Sequence, residues 1–253
     1  TYVIVAGSNV ILNTTFDDFI KSHETAGADI SVMYNRDGTK YGNPSYILDI
    51  DEEGFVRDML YNPPKASSTK CSLGILCLRR DLLIDIIARQ MAHGMTHFGI
   101  HSIVKMFDEL KVYGYEYTGV ALRINNVQSY FNASMSLLTD SVRNDLFWSG
   151  EPIYTKVKDE APTLYFDNAE MNDSIVSDGC RIYGKVEESV IFRSVTIAKN
   201  TTVKNCVVMQ DVHISENCHL ENVILDKNAF VRPGVRLVGH PEYPIVIGKG
   251  AGI

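Results

Sequence analysis

Aliphatic residues recur every 17 positions along the last third of the chain, in three aligned segments that begin at residues 189, 206 and 223. Within a segment the aliphatic positions lie six residues apart, as Ile191, Ile197 and Val203 do in the first. A small or short-branched residue stands two positions before each of them. Neither the period of about 3.6 residues of a helix nor the simple alternation of a strand explains this pattern.

A triangular coil does explain it. Each hexapeptide would make one short flat strand and a corner, with the aliphatic side chain directed inward and the small residue beside it. Stacked coils form a parallel β-helix in which each coil shares its core only with its neighbours. The repeat resembles the hexapeptide-repeat family of left-handed parallel β-helices, and this resemblance supplies the handedness. Further pairs six apart, Cys180 with Val186 and Ile247 with Ile253, extend the predicted β-helix over residues 167–253.

Residues 1–140 show a different pattern, in which short apolar strands alternate with amphipathic helices. An apolar run at residues 2–6 predicts a strand, and residues 16–26 predict a helix that ends at Gly27. Similar alternation continues along this half, which indicates an α/β domain with a mixed sheet. Residues 141–166 contain two prolines and are predicted to link the two domains.

Composition and charge exclude several function classes. The chain has 253 residues, of which 45% are hydrophobic, and a formal net charge of −7, which disfavours a nucleic-acid-binding surface. No apolar run reaches the roughly 18 residues that a membrane span needs, and no signal peptide is recognisable at the start. The five cysteines are odd in number and form no CxxC pair, which favours a reducing, cytoplasmic setting.

Four segments, in order along nearly the whole chain, carry a resemblance to a known family. They read "YVIVAGSNVILNTTFDDFIKSHETAGADISV", "KYGNPSYILDIDEEGFVRDMLYNPP", "CSLGILCLRRDLL" and "LRINNVQSYFNASMSLL". Together they resemble the bacterial ADP-glucose pyrophosphorylases (glucose-1-phosphate adenylyltransferases). The resemblance implies a partial, Rossmann-like nucleotide-diphospho-sugar transferase domain. It places Thr1 after the family's glycine-rich nucleotide loop, for which this chain shows no candidate; "GKGAG" at 248–252 is predicted to be a β-helix corner.

The same resemblance identifies the positions where catalysis would be expected. Family members place two aspartates around Mg²⁺, a hard cation that prefers carboxylate oxygens; these positions fall on Ser8 and Ile124. The family lysine that grips the sugar phosphate falls on Met59 when the segments are aligned through Asn62 and Pro63. A hydroxyl and two apolar side chains replace these groups, so no catalytic residue and no metal ligand is predicted in this chain.

These replacements make the chain resemble the non-catalytic, GlgD-type subunits of the family. The resemblance implies a regulatory subunit in glycogen biosynthesis that forms a hetero-oligomer with a catalytic subunit, a homo-oligomer, or both. It also implies no cofactor of its own and Mg²⁺ only in the catalytic partner. Neighbours of the family pocket persist and predict a vestigial sugar-phosphate site, unless the glycines serve backbone geometry alone; they are Gly7, Gly42, Ser72, Gly74 and Arg123.

Two other functions stay open at the level of sequence. The chain would be an active nucleotidyltransferase if other carboxylates held the metal ion. It would be a hexapeptide acyltransferase if a histidine of the coils acted as general base. His213 and His219 each precede an inward aliphatic residue and are therefore predicted to point outward, and His240 is predicted to lie in a loop between coils.

Further polar residues have structural interpretations. His93, His97 and His101 show the four-residue spacing of metal ligands on a helix, but the intervening glycines predict a loop. The acidic residues around 17–18 and 49–53 are predicted to serve a helix start and a hairpin turn. The pair Arg79 and Arg80 at a helix start is either an anion contact or an interface group.

Overall fold

The computed structural model describes residues 1–36, 46–63, 68–94, 109–148, 151–154 and 157–253. Its internal contacts divide the chain into two units. The first contains Thr1–Asn125 with a short piece that ends at Glu151, and the second contains Asn126–Trp148 and Pro152–Ile253.

The first unit is built on a mixed sheet, as the alternation of strands and helices predicts. Its strands run in the order β5-β4-β6-β3-β7, and β1 also pairs with β6. Among the strand pairs that the structure describes in this sheet, β3 with β7 is parallel and the others are antiparallel. The strands are β1 (Tyr2–Val5), β3 (Ile30–Asn35), β4 (Tyr46–Ile50), β5 (Val56–Tyr61), β6 (Cys71–Arg79) and β7 (Val112–Glu116). A separate two-stranded ladder joins β2 (Val10–Ile11) to β8 (Leu122–Arg123).

Within the described residues of this unit, two helices pack on the sheet. Helix α1 (Asp17–Ala26) carries acidic residues in its first turn, where the helix dipole favours them, and ends at Gly27 in the left-handed region (φ 59°). Helix α2 (Arg80–Ala92) buries Ile86 completely against residues of the sheet. A further helix that the sequence predicts near residues 99–111 lies largely outside the described residues. Across the part of the chain that the structure describes, the helices are too short or too polar to serve as transmembrane segments.

The hairpin predicted around residues 51–54 connects β4 and β5. The Asp51 carboxylate accepts a hydrogen bond from the backbone N–H of Phe55 (2.7 Å) and forms an ion pair with Arg57. Gly54 adopts φ 92°, and a Cβ there would lie 2.6 Å from the Tyr113 ring. The acidic residue therefore stabilises the turn, as the structural interpretation predicts.

His23 is a buried titratable group that links α1 to the sheet and makes stability depend on pH. Its Nδ1 lies 2.8 Å from the Ser31 hydroxyl, and burial lowers its pKa below 6.5 despite the opposing charges of Glu24 and Asp29. Because His23 takes up a proton more readily in the unfolded chain than in the folded one, protonation favours unfolding. The stability that depends on neutral His23 is therefore complete above about pH 6.5 and decreases as the pH falls. We expect the free energy of unfolding from urea titrations to decrease between about pH 7.5 and 5.5.

The matched variants for this prediction are His23→Gln and His213→Gln, because His213 is exposed in the second unit. The first should flatten the pH dependence and the second should leave it unchanged. If the free energy of unfolding depends equally on pH in the unmodified protein and in both variants, His23 is not the source of the pH dependence.

The second unit is a parallel β-helix with three sheets of five strands each. One sheet has the order β9-β12-β15-β18-β21, and its strands are Leu164–Tyr165, Arg181–Ile182, Thr196–Ile197, His213–Ile214 and Phe230–Val231. The next has the order β10-β13-β16-β19-β22, with Glu170–Asn172, Lys185–Glu187, Thr202–Lys204, His219–Glu221 and Arg236–Val238. The third has the order β11-β14-β17-β20-β23, with Ile175–Val176, Val190–Ile191, Val207–Val208, Val223–Leu225 and Ile245–Ile247.

The core of the β-helix contains the residues that the repeat predicts. All nine aliphatic positions of the three segments belong to one apolar cluster, and all except Leu237 are fully buried. The small residues two positions earlier are also buried, apart from Val235 near the last coil. The expectation of a parallel β-helix is therefore confirmed.

The corners of the coils hold non-glycine residues in the left-handed backbone region. One corner column contains Glu188 (φ 47°), Asn205 (φ 47°) and Asn222 (φ 54°), and the side chains of the two asparagines hydrogen-bond to each other. Asparagine tolerates this conformation better than glutamate does, because its short side chain hydrogen-bonds locally. We expect Glu188→Asn to raise the free energy of unfolding by about 0.5–1 kcal/mol, measured by urea denaturation.

Glu216→Asn is the matched control for this prediction, because Glu216 is exposed in the same β-helix but does not adopt positive φ. A destabilised Glu188→Asn protein, or an equal gain from both substitutions, would show that backbone conformation is not the cause.

One outward face of the β-helix is apolar and is covered by helix α3 (Val127–Ser136). Phe131 packs against Val207 and Ile224, whose side chains point away from the coil interior. This contact places residues 126–148, including α4 (Asp140–Arg143) and a π-helical turn at Asn144–Trp148, in the second unit. The units therefore divide at Asn125, whereas the sequence pattern predicts a boundary at residue 140. Most of the predicted linker at 141–166 belongs to the second unit.

Candidate functional site

The two positions at which the family resemblance places aspartates, Ser8 and Ile124, lie on adjoining segments of the first unit. β1 leads into Gly7, Ser8 and Asn9, which continue into β2, and β2 pairs with β8 just before Ile124. The backbone N–H of Ile124 donates to the carbonyl oxygen of Asn9 at 2.8 Å. The fold therefore brings together two positions that are 116 residues apart in the sequence.

Three of the predicted pocket residues form a connected group beside these segments. The Arg123 guanidinium donates through Nη2 to the carbonyl oxygen of Ser72 at 2.6 Å, and the Ser72 hydroxyl accepts from the N–H of Gly74 at 3.1 Å. Gly74 has φ 72°, and a Cβ at this position would lie 3.8 Å from Arg123 Nη2. The backbone conformation at position 74 therefore favours glycine, whatever else the residue does.

Arg123 gives this group its electrostatic character. Burial lowers the pKa of its guanidinium, with opposing contributions from Cys71 and Tyr61, but arginine starts from 12.5 and stays charged at neutral pH. A guanidinium with restricted access to water attracts anions and matches the geometry of a phosphate. The group is therefore suited to an anion.

The residues at the two family metal positions do not fit Mg²⁺. Ser8 is exposed and offers a neutral hydroxyl, Ile124 is half-buried and offers no ligand, and the nearby charge on Arg123 is positive. Among the described residues, no three histidine, cysteine, aspartate or glutamate side chains cluster in a way that could hold a metal ion. The chemistry of this donor set therefore disagrees with a two-aspartate magnesium site.

One position that the family resemblance aligns with a site residue lies in the core. Met59 is 3% exposed and packs in the core with Val56 and Leu48, so the alignment that places a phosphate-gripping lysine at Met59 leads to a core position. Gly42 lies outside the described residues.

Two polar residues that the sequence analysis does not single out also lie on the segments of Ser8 and Ile124. Asn9 directly follows Ser8 and Asn125 directly follows Ile124, and the Asn9 side-chain amide donates to the Asn125 side-chain oxygen. The only sequence signal was the presence of asparagine directly after Ser8 and Ile124. This amide pair joins the two segments without supplying negative charge.

The histidines do not assemble into a catalytic site within the described part of the chain. His213 is exposed and stacks on Phe230, and His219 lies on a different sheet, 3.6 Å from the Glu221 carboxylate. His240 lies in the loop before the last coil. His93 follows the end of α2, whereas His97 and His101 lie outside the described residues.

Comparisons with known proteins agree with both halves of the chain. A family model described as "GlmU-like, C-terminal hexapeptide" matches residues 163–242, which correspond to the β-helix. The chain is 30% identical over 249 residues to the glycogen biosynthesis protein GlgD of Bacillus subtilis, and the match covers 98% of this chain and 63% of that protein.

Glucose-1-phosphate adenylyltransferases also match. The protein of Fervidobacterium nodosum is 26% identical over 94% of this chain and 58% of its own length. That of Bacillus subtilis is 28% identical over 80% of this chain and 54% of its own length. The chain thus spans between 54% and 63% of the length of these three relatives.

Proposed function

Because the chain belongs to the family of the glycogen biosynthesis protein GlgD and the glucose-1-phosphate adenylyltransferases, we propose that it acts as a regulatory subunit with little or no catalytic activity of its own. The reaction it would regulate joins glucose 1-phosphate to the α-phosphate of ATP, releases pyrophosphate and yields ADP-glucose for glycogen synthesis in the cytoplasm.

The observation that supports this proposal is the chemistry at Ser8 and Ile124. Nucleotidyl transfer concentrates negative charge on the reacting phosphates, and Mg²⁺ neutralises it when carboxylates hold the ion in place. Here the two segments are joined by a backbone hydrogen bond and an amide pair. The scaffold of the site is retained, whereas the groups that would hold a divalent cation are replaced.

The remaining group would serve binding instead of catalysis. Arg123, held by the Ser72 carbonyl, supplies positive charge, and the Ser72 hydroxyl and the backbone N–H of Gly74 lie beside it. A sugar phosphate could occupy such a group without being converted. Its occupancy would then bias the conformation of this chain and, through an interface, that of a catalytic subunit.

Co-expression with a catalytic glucose-1-phosphate adenylyltransferase of the same organism tests the regulatory role. We expect the full-length protein to co-purify in one oligomer, sized by light scattering. We also expect it to change the rate of ADP-glucose formation, or the apparent affinity for glucose 1-phosphate, by roughly fivefold or more. The catalytic protein expressed alone is the control. Separate elution together with unchanged kinetics would contradict a regulatory role.

A further inference from the structure

The wall of the β-helix contains a notch where one coil is shorter than its neighbours. Residues in register on successive coils are 17 apart for Lys185 and Thr202, but only 15 apart for Glu170 and Lys185. The shorter coil turns its corner with two residues, Tyr183 and Gly184, whereas the coils on either side use four, at 166–169 and 198–201. The two missing residues leave a recess that we call the corner notch.

Gly184 allows the short corner to lie under the next coil. A Cβ at this position would stand 2.4 Å from the carbonyl oxygen of Thr201 and 2.9 Å from that of Ala198. Backbone hydrogen bonds to the coils on both sides continue through the notch, from Glu170 N to Gly184 O (3.2 Å) and from Lys185 N to Thr201 O (2.8 Å). The recess is therefore an ordered part of the fold.

The corner notch combines an aromatic wall with hydrogen-bonding groups. It encloses about 470 Å³, which is within the range of small-molecule sites. The rings of Phe166 and Tyr183 stack with centroids 3.9 Å apart and an interplanar angle of 9°, which fixes their orientation. Side-chain amides, hydroxyls and charged groups complete the lining, including those of Asn168, Asn200 and Thr202.

The charges in the corner notch balance, which selects against a phosphate. Asp167 and Glu170 oppose Lys185 and Lys199. Moreover, Lys185 Nζ lies 3.4 Å from the Glu170 carboxylate and 2.9 Å from that of Glu187, so its charge is already compensated. A phosphate would have to approach these carboxylates, whereas an uncharged ligand would not.

We propose that the corner notch binds a neutral carbohydrate. The apolar face of a sugar ring suits the aromatic wall, and its hydroxyls can both donate to the carboxylate and amide oxygens and accept from the amide and ammonium groups. No catalysis is involved, and the inference does not depend on the regulatory role proposed above.

Calorimetric titration of the full-length protein with maltotetraose and cellotetraose tests this site. We expect one of these glucose tetramers to bind and inorganic phosphate not to compete. Tyr183→Ala should weaken binding about tenfold or more, because it removes half of the aromatic wall. The matched control is Phe230→Ala, which removes a member of a stacked pair elsewhere on the β-helix and should leave the affinity unchanged.

A second variant tests the shape of the site. Inserting Lys-Asn between Tyr183 and Gly184 gives this corner four residues, as in its neighbours, and keeps the aromatic pair; it should fill the corner notch and abolish binding while the thermal unfolding temperature stays near that of the original protein. The inference is overturned if neither tetramer binds at about 10 mM, if phosphate displaces the sugar, or if Tyr183→Ala and Phe230→Ala weaken binding equally. It is also overturned if the filled variant folds and still binds.

Discussion

The double substitution of Ser8→Asp and Ile124→Asp is expected to give the full-length protein Mg²⁺-dependent formation of ADP-glucose. The backbone hydrogen bond from Ile124 to Asn9 holds the two positions close together whichever side chains they carry. Two carboxylates would supply the oxygen anions that Mg²⁺ requires, and a bound metal ion contributes several kcal/mol of charge stabilisation in such transfers. The rate should therefore exceed the background without protein by at least about 100-fold.

Ser8→Asn with Ile124→Asn is the matched control, because asparagine has the size of aspartate without its charge. This variant should stay as inactive as the unmodified protein, and each single aspartate substitution should give less than the pair. If the double aspartate variant folds, binds Mg²⁺ and still makes no ADP-glucose, the loss extends beyond the two metal positions.

The second large effect concerns the stability of the β-helix. Ile197 is completely buried between Ile182 and Ile214 of the adjacent coils. Replacing it by alanine leaves a cavity that two coils line, and we expect the free energy of unfolding to fall by about 2–5 kcal/mol. Urea denaturation followed by circular dichroism measures the change.

Two substitutions calibrate this effect. Ile197→Val removes one methylene and should cost about 0.5–1.5 kcal/mol, whereas Thr196→Ala, on the outward side of the same strand, should change the free energy of unfolding by less than about 0.5 kcal/mol. A loss from Thr196→Ala as large as that from Ile197→Ala would contradict the assignment of inward and outward positions.

The β-helix was predictable from sequence because its core obeys a strict period. Every inward position must hold an aliphatic side chain of limited size, so the 17-residue repeat reveals the interior residue by residue. The outward positions carry no such constraint. Val207 and Ile224 bury Phe131 of α3, but nothing in the repeat shows that an outward valine or isoleucine is covered. The division of the chain at Asn125 therefore differs from the predicted boundary.

The short coil was missed for the opposite reason, since it departs from the repeat. Residues in register across this coil are 15 apart, whereas those of the next coils are 17 apart. Cys180 and Val186 nevertheless point inward, as predicted. The corner notch that results depends on which residues face each other across three coils. That arrangement follows from the register of the strands.

The candidate site was partly predictable. The segments that carry Ser8 and Ile124 adjoin, and Ser72, Gly74 and Arg123 form one hydrogen-bonded group, whereas their role as a binding site stays a prediction. Met59, the position that the resemblance aligns with the family lysine, lies in the core, where burial favours an apolar side chain. The amide pair of Asn9 and Asn125 depends on side-chain conformations that the sequence pattern does not specify.

The central claim is that this protein retains the scaffold of an adenylyltransferase without the ligands for its metal ion. It is tested most directly by the rate of ADP-glucose formation by the purified full-length protein alone, with ATP, glucose 1-phosphate and saturating Mg²⁺. We expect no turnover above the background without protein. A rate of about 1 s⁻¹ or more, typical of a competent enzyme, would contradict the claim.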